Sequence, residues 1–313
     1  MTGSTWAAGM AAGVVADRLL GDPQRFHPVA GFGRLASGLE RATWRPTRRA
    51  GIWHTAALVA APTLAAGAVD RALAGWPVRR AAFTAAVTWA ALGGRSLERN
   101  AARVGALVAA ADMDGARARL PTLVGRDPTR LEASEVCRAA IESVAENTVD
   151  AVIGPVFWGA VAGPAGVAAY RAVNTLDAMV GHRGLRYEHF GWAAARLDDL
   201  LTWSAARLSA AVAVALAPSV AGDRAAAWRT LRRDGARHPS PNAGRLEAAF
   251  AGALGVRLGG RNRYPSGVER RPDLGAGRLP EPEDVLRATR LARWTGLVAA
   301  ALVIGAAAMR SRR

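Results

Sequence analysis

The segment at residues 149–170, VDAVIGPVFWGAVAGPAGVAAY, decides the fold class. It reaches the roughly 20 apolar residues that an α-helix needs to cross a bilayer, yet Gly154-Pro155 and Gly163-Pro164 interrupt it. Such pairs end or kink helices. Broken helices at membrane depth are tolerated where the backbone faces protein or a water-filled cavity, so the segment predicts a broken or re-entrant element lining a site. A kinked ordinary span is the alternative. Four more apolar runs flank it, at 52–69, 78–93, 203–221 and 294–309, and none of the five carries an acidic residue in its central part. Trp53, Trp203 and Trp294 stand near run ends and Arg310, Arg312 and Arg313 follow the last run, the flanks expected of spans. A shorter run, 6–16, has no arginine before it and closes on Asp17-Arg18; it reads as a retained half-membrane helix rather than a signal-peptide core. Runs 52–69 and 78–93 pair as a hairpin, which puts 17–50 and 94–148 on one side. The expectation is an all-α, polytopic helical membrane protein. Residues 1–313 form a single integral membrane domain with about five apolar runs, one of them broken, and an irregular, polar, loop-rich cap at about 222–290. Buried Ala-rich helices in a soluble bundle are the competing reading.

Composition points the same way. Of 313 residues, 51% are hydrophobic and 21% charged, which excludes disorder and collagen-like repeats. Only 6% are aromatic, and the dominance of Ala and Gly suits small-residue helix packing in membranes. All 41 basic residues are arginine, so a Schiff-base lysine, a P-loop lysine and pyridoxal-phosphate chemistry are impossible. A single cysteine, Cys137, excludes an intramolecular disulfide and a thiolate metal site. The net charge of +16 is spread over every polar segment without aromatic interleaving, so anionic headgroups and phosphate ligands fit it better than nucleic acid.

The polar segments carry their own order. Residues 95–112 predict an amphipathic helix, with Arg95, Arg99 and Arg103 on one side and Leu97, Val104, Leu107 and Val108 opposite; 131–147 predicts a second. Glu142, Glu146 and Asp150 recur at i, i+4, i+8, three repelling carboxylates along one face. A solvated acidic stripe explains them in isolation, and a divalent metal is the functional alternative. Hard oxygens without thiols suit Mg²⁺ rather than zinc. Arg171, Asn174 and Asp177 form a polar stripe in an apolar segment, followed by His182-Arg183. The pair Asp198-Asp199 cannot share one helix face, so at most one binds metal while the other pairs with an arginine. A loop at 234–244 gathers Asp234, Arg237, His238, Ser240 and Asn242 around two prolines, and 259–264 supplies Gly259-Gly260, Arg261, Asn262 and Arg263. Small residues and cations in that second loop suit a phosphate held by backbone N–H groups and guanidinium forks.

Three strings, RAAIESVAENTVDAVIGPVFWGAVAG, AYRAVNTLDAMVGHRGLRYEHFGWAAARLDD and HPSPNAGRLEAAFAGALGVRLGG, together with LGDP at 20–23 and His27-Pro28-Val29, resemble the cobalamin biosynthesis family called CbiB or CobD. These are membrane-bound adenosylcobinamide-phosphate synthases, and the resemblance runs from Asp17 to about Gly275. The chain departs from the family pattern in having Arg171 where a lysine is usual, His182-Arg183 where Tyr-Lys is usual, and Thr202 and Ala205 where Asn and Pro are usual.

The resemblance implies an ATP-dependent carbon–nitrogen ligase that joins adenosylcobyric acid to an amino-alcohol phosphate, aminopropanol phosphate or ethanolamine phosphate. Glu142, Glu146, Asp150 and Asp177 would hold Mg²⁺ and the ATP phosphates. Arg171, Arg183 and Arg261 would neutralise phosphate, with Asn174, Asn242, Asn262, Asp22 and His27 binding substrate. His238, Glu146 and Asp177 would be catalytic, His238 as the base for the attacking ammonium. The bacterial cytoplasmic membrane is the expected location. A homo-oligomer or association with other corrinoid-pathway enzymes is compatible with this, and no nucleic-acid partner is expected. Two other classes compete, a transporter built on the broken helix and a non-catalytic AmpE-like membrane sensor. Transport would not require the cap with its HPSPNAG loop, and a sensor would lack the acidic and HPSPNAG motifs that this chain keeps.

Overall fold

The computed structural model describes residues 2–22, 27–182, 184–264 and 267–310. Its elements are α1 (Thr2–Leu20), α2 (Pro28–Thr43), α3 (Arg48–Ala72), α4 (Pro77–Ala91), α5 (Gly94–Ala109), α6 (Met113–Arg119), α7 (Ala133–Thr148), a π turn (Val149–Ile153), α8 (Gly154–Val180), α9 (Trp192–Ala215), α10 (Arg224–Asp234), α11 (Ala243–Leu254), strands β1 (Leu258–Tyr264) and β2 (Gly267–Leu274), and α12 (Pro282–Arg310). Among the described residues three helical stretches are long and apolar enough to cross a membrane: Arg48–Ala72, Ala133–Val180 and Pro282–Arg310. The run at 78–93 yields the 15-residue α4, and the run at 203–221 belongs to α9, which begins earlier and takes in Arg196, Asp198 and Asp199. The chain is an all-helical membrane protein with one small strand pair.

The chain divides into two compact units. The first comprises Met1–Gly93, Asp150–Thr202 and Ala300–Arg313; the second comprises Gly94–Val149 and Trp203–Ala299. The amphipathic 94–149 segment buries its apolar face within the second unit, where α7 packs on α5 and α11.

Small residues set the first unit. On α1, a Cβ added at Gly9 or Gly13 would lie 2.6 Å from Cβ of Thr84 or Thr88 on α4, so a Gly-x-x-x-Gly pair meets a Thr-x-x-x-Thr pair at backbone distance. Asp70 and Arg80 lock the α3–α4 hairpin by two parallel hydrogen bonds, one of 2.7 Å from Nε, and Trp6 Nε1 donates to the same carboxylate at 3.0 Å. Ala36, Leu58, Leu176, Val180, Phe190 and Ala194 close the core between α2, α3, α8 and α9. The interruption read at 149–170 is present. The π turn precedes α8, Pro155 occupies its first turn, and Ala162 and Gly163 leave helical geometry, Gly163 at φ +61°.

The second unit corrects the loop-rich reading of its cap. Helices α10 and α11 lie on either side of the two prolines, and 258–274 is an antiparallel hairpin pairing Arg261 with Arg270 and Asn262 with Glu269. Neither strand alternates apolar with polar residues, which is why periodicity did not reveal it. Helix α7 opens with a capping box, Glu132 with Glu135, which gives these two acids a local role at its N-terminus.

Gly13→Ala should lower the unfolding temperature in detergent, because the new methyl must displace Thr88 or the Ala85 carbonyl. A loss of about 1–3 kcal/mol is expected for such overpacking. Thr88→Ala in the same chain should recover part of it, and melting curves of the two variants check this.

Candidate functional site

Each unit holds a polar cluster that gathers expected site residues. In the first, a side-chain chain runs from Asp150 to Arg171. Tyr170 Oη lies 3.5 Å from Asp150 Oδ1 and 3.1 Å from Thr202 Oγ1; Thr202 lies 3.5 Å from Asp198 Oδ2; Asn174 Nδ2 donates to Asp198 Oδ1 at 3.3 Å; Arg171 Nη1 donates to Asn174 Oδ1 at 3.3 Å. Tyr170 is fully buried, and its ring occupies the space that a side chain at Gly154 would need. Gly154 therefore serves the site as well as the break. The paired aspartates split as their spacing requires, Asp198 into this chain and Asp199 toward Arg196 at 4.0 Å. Asp177 is half-buried at the end of α8, where its carbonyl accepts from Gly181 N–H. His27 caps α2 through Nδ1 and lies 3.6 Å from Asp22. Arg183 lies outside the described residues.

In the second unit α7 presents Arg138, Glu142 and Glu146 at successive turns. Glu142 is buried, paired through Oε2 with Arg126 and accepting from Gly259 N–H at 2.6 Å through Oε1. Arg138 donates to the Arg261 carbonyl at 2.8 Å. Both Glu142 oxygens are engaged within the protein, which makes it a bracket for β1. Gly259 and Gly260 have a structural role of their own. They adopt φ of +83° and +79° so that β1 can bulge past Pro272 and Arg138, and the Gly259 N–H already has its acceptor. Arg261 is exposed, while the Asn262 side chain is buried with no hydrogen-bond partner on either amide atom. Asn242 is buried and accepts from Arg207 at 3.2 Å. Glu146 presents an exposed surface on the last turn of α7.

The four expected metal ligands fall into both units, Glu142 and Glu146 in one, Asp150 and Asp177 in the other. Among the described residues no three His, Cys, Asp or Glu side chains are grouped to hold a metal unaided. The π turn at 149–153 interrupts the α-helical repeat on which the i, i+4, i+8 face depended.

His238 meets a donor at each ring nitrogen. Its Nδ1 faces the Ser240 N–H at 3.1 Å, and Nε2 faces the Arg271 guanidinium at 3.3 Å and Glu247 at 3.8 Å, so in either neutral tautomer the ring's single in-plane lone pair meets an N–H. No lone pair is left for a substrate proton. Burial and the Arg271 guanidinium hold the imidazole down at about 4. Burial, with the Glu142 and Glu146 carboxylates nearby, pushes Glu247 well above the usual carboxylate range. Tyr170, Thr202, Arg126, Glu247 and Arg271 are the site residues that sequence reasoning missed. Of these Thr202 alone left a trace, as a departure from the family pattern.

The chain matches the family described as CobD/Cbib protein over residues 10–292. It is 50% identical over 309 residues to the cobalamin biosynthesis protein CobD of Mycobacterium tuberculosis (strain ATCC 25618 / H37Rv), covering 97% of each chain. It is 44% identical over 306 residues to the protein of that name from Chromobacterium violaceum, covering 93% of this chain and 95% of that one. The Rhodobacter capsulatus protein of that name is 40% identical over 315 residues, with 97% and 98% covered. No solved structure matches. A helical membrane protein with acid–guanidinium clusters thus belongs to the CobD/CbiB family, and its role lies in cobalamin biosynthesis.

The lowered His238 value has a sign that can be checked. As pH falls from about 6.5 to 4 the unfolded chain takes up a proton that the folded ring refuses, so this group lowers stability on acidification, by at most about 3 kcal/mol. Glu247 acts oppositely, favouring the fold at low pH, so the wild-type profile mixes both. The difference between His238→Gln and wild type isolates the histidine. Unfolding temperatures of the two should converge as pH falls through that window, and a constant offset would contradict the assignment.

Proposed function

We propose that the protein is an ATP-dependent ligase that forms an amide between the propionate carboxylate of adenosylcobyric acid and the amine of an amino-alcohol phosphate, at the bacterial cytoplasmic membrane. Family membership over nearly the whole chain carries this reading. A carboxylate and an ammonium do not condense unaided in water, so the carboxylate is first activated: in this reading its oxygen takes the γ-phosphoryl group of ATP, giving an acyl phosphate and releasing ADP.

The cluster of the first unit suits that first step. Magnesium typically keeps several waters and takes only one or two carboxylates together with substrate phosphates. Asp150, Asp198 and Thr202 are hard oxygen donors of one unit and fit that need. Bound there, the ion would neutralise charge on the transferring phosphoryl group. Arg171 adds a permanent cation for phosphate oxygens, held by Asn174. Asp177, Asp22 and His27 remain proposed substrate contacts of the same unit.

For the second step the amine's lone pair forms the C–N bond, the C–O bond to phosphate breaks, and the ammonium proton goes to a base. Glu146, on the last turn of α7, is the base of this reading in place of His238. His238 instead braces the 234–244 loop, with Asn242, Asn262 and Arg261 left as substrate contacts.

The test is an assay of detergent-solubilised protein with adenosylcobyric acid, aminopropanol phosphate or ethanolamine phosphate, ATP and Mg²⁺, reading adenosylcobinamide phosphate. Glu146→Gln keeps the side-chain volume and should cost about a hundredfold or more in rate, and Asp198→Asn a comparable amount. Absence of product from either amino-alcohol phosphate with well-folded wild-type protein would defeat the ligase reading.

A further inference from the structure

The first unit places a collar of exposed arginines at the start of α3. Arg41 ends α2, and Arg45, Arg48 and Arg49 lead into α3; all four are exposed. Arg186 joins them from the segment before α9. Its guanidinium is hydrogen-bonded to Glu40 at 2.9 Å and lies 4.7 Å over the Trp44 ring, while Arg48 lies 5.2 Å over Trp192. The acid of this group, Glu40, is buried and engaged by Arg186 and Tyr187; Glu188 is the one exposed carboxylate in the 181–191 segment. Just inside α3, Trp53 is 68% exposed, and Ile52, Leu64 and Val69 continue an uncovered apolar surface along the helix.

The other end of the same helix differs. Arg71 and Arg79 are exposed, and Arg80 is buried and neutralised by Asp70. The far end also carries a stack, Arg79 over the exposed Trp76 ring at 4.5 Å, so the asymmetry lies in charge: a span with five exposed arginines at one end and two at the other has a preferred orientation.

We propose that Arg41, Arg45, Arg48, Arg49 and Arg186 form a docking collar for anionic phospholipid headgroups, and that this end of α3 faces the cytoplasm. The inference rests on α3 crossing the membrane. Guanidinium forks match phosphate oxygens, tryptophan rings settle at headgroup depth, and clusters of four or more basic residues beside a span are drawn to anionic leaflets. The stacks on Trp44 and Trp192 hold two of the guanidinium groups beside rings suited to that depth.

Two measurements on the full chain test this. Cys137 is buried, so it provides a silent background for impermeant maleimide labelling. A Cβ at Gly75 meets nothing within 4 Å, and Ala42 is exposed on α2. In intact cells Gly75→Cys should label and Ala42→Cys should label only after permeabilisation; the reverse pattern overturns the orientation. For the lipid, detergent-solubilised protein should gain unfolding temperature on adding phosphatidylglycerol but not phosphatidylcholine, and about 0.5 M salt should erase the gain. Arg45→Gln/Arg48→Gln/Arg49→Gln should weaken the response about tenfold or more in lipid concentration, while the matching triple Lys variant keeps most of it. Equal stabilisation by both lipids, or by inorganic phosphate alone, would overturn the collar, as would an unchanged response in a triple Gln variant of native helicity.

Discussion

A tyrosine ring that lies where a glycine has no side chain fixes the site of the first unit. With any other residue at 154 the Tyr170 phenol would lose its place, and with it the link between Asp150 and the Thr202–Asp198–Asn174 series. The same principle recurs through the molecule. Gly51 lets α3 approach the Phe190 carbonyl, and Gly252 on α11 admits the backbone of Ala227 on α10. A chain so poor in bulky apolar side chains gains its cohesion from close backbone approach and many weak dispersion contacts rather than from large rings and branched residues.

Its charges follow an equally uniform rule. Three buried aspartates are each held by arginine: Asp70 by Arg80, Asp234 by Arg233 and Arg237, Asp284 by Arg278 and Arg287. Arg233 and the Gly275 N–H keep the Asp234 carboxyl below the usual range, ionised at any physiological pH. A planar, always-charged guanidinium can satisfy both oxygens of a carboxylate at once, which a lysine cannot do. Burying such pairs gives register more than stability, since desolvation offsets much of the attraction. Asp284, gripped by two arginines at the start of α12, illustrates this. It sets where the helix begins.

Much of this was legible in the sequence. The apolar runs gave the helical membrane class, the Gly-Pro pairs gave the break in α8, and the Arg171–Asn174 spacing gave a polar stripe that the structure ties together. The failures have physical causes. An i, i+4, i+8 rule assumes unbroken α-helical geometry, and the π turn at 149–153 ends that assumption between Glu146 and Asp150. Glycine pairs read as ligand loops because the local sequence cannot say whether a partner such as Glu142, 117 residues away, already occupies the N–H. Glu247 and Arg271 look like surface charges in a one-dimensional pattern, since burial is decided by what packs over them. His238 had the right chemistry for a base. Only the folded chain places donors, Ser240 N–H and Arg271, at both of its ring nitrogens.

Trp6 reveals a problem of timing. Its indole N–H is bound to Asp70, Arg80 lies 5.2 Å over its ring, and that ring covers Gly163 at the break in α8. Helix α1 therefore completes its contacts only when residue 163 has been made, 157 residues after Trp6. At bacterial and eukaryotic synthesis rates that interval is roughly 8–30 s. During it α1 must wait, half-apolar and without its partners, so the nascent chain depends on lipid or an insertion factor to shelter a segment whose final neighbours do not yet exist.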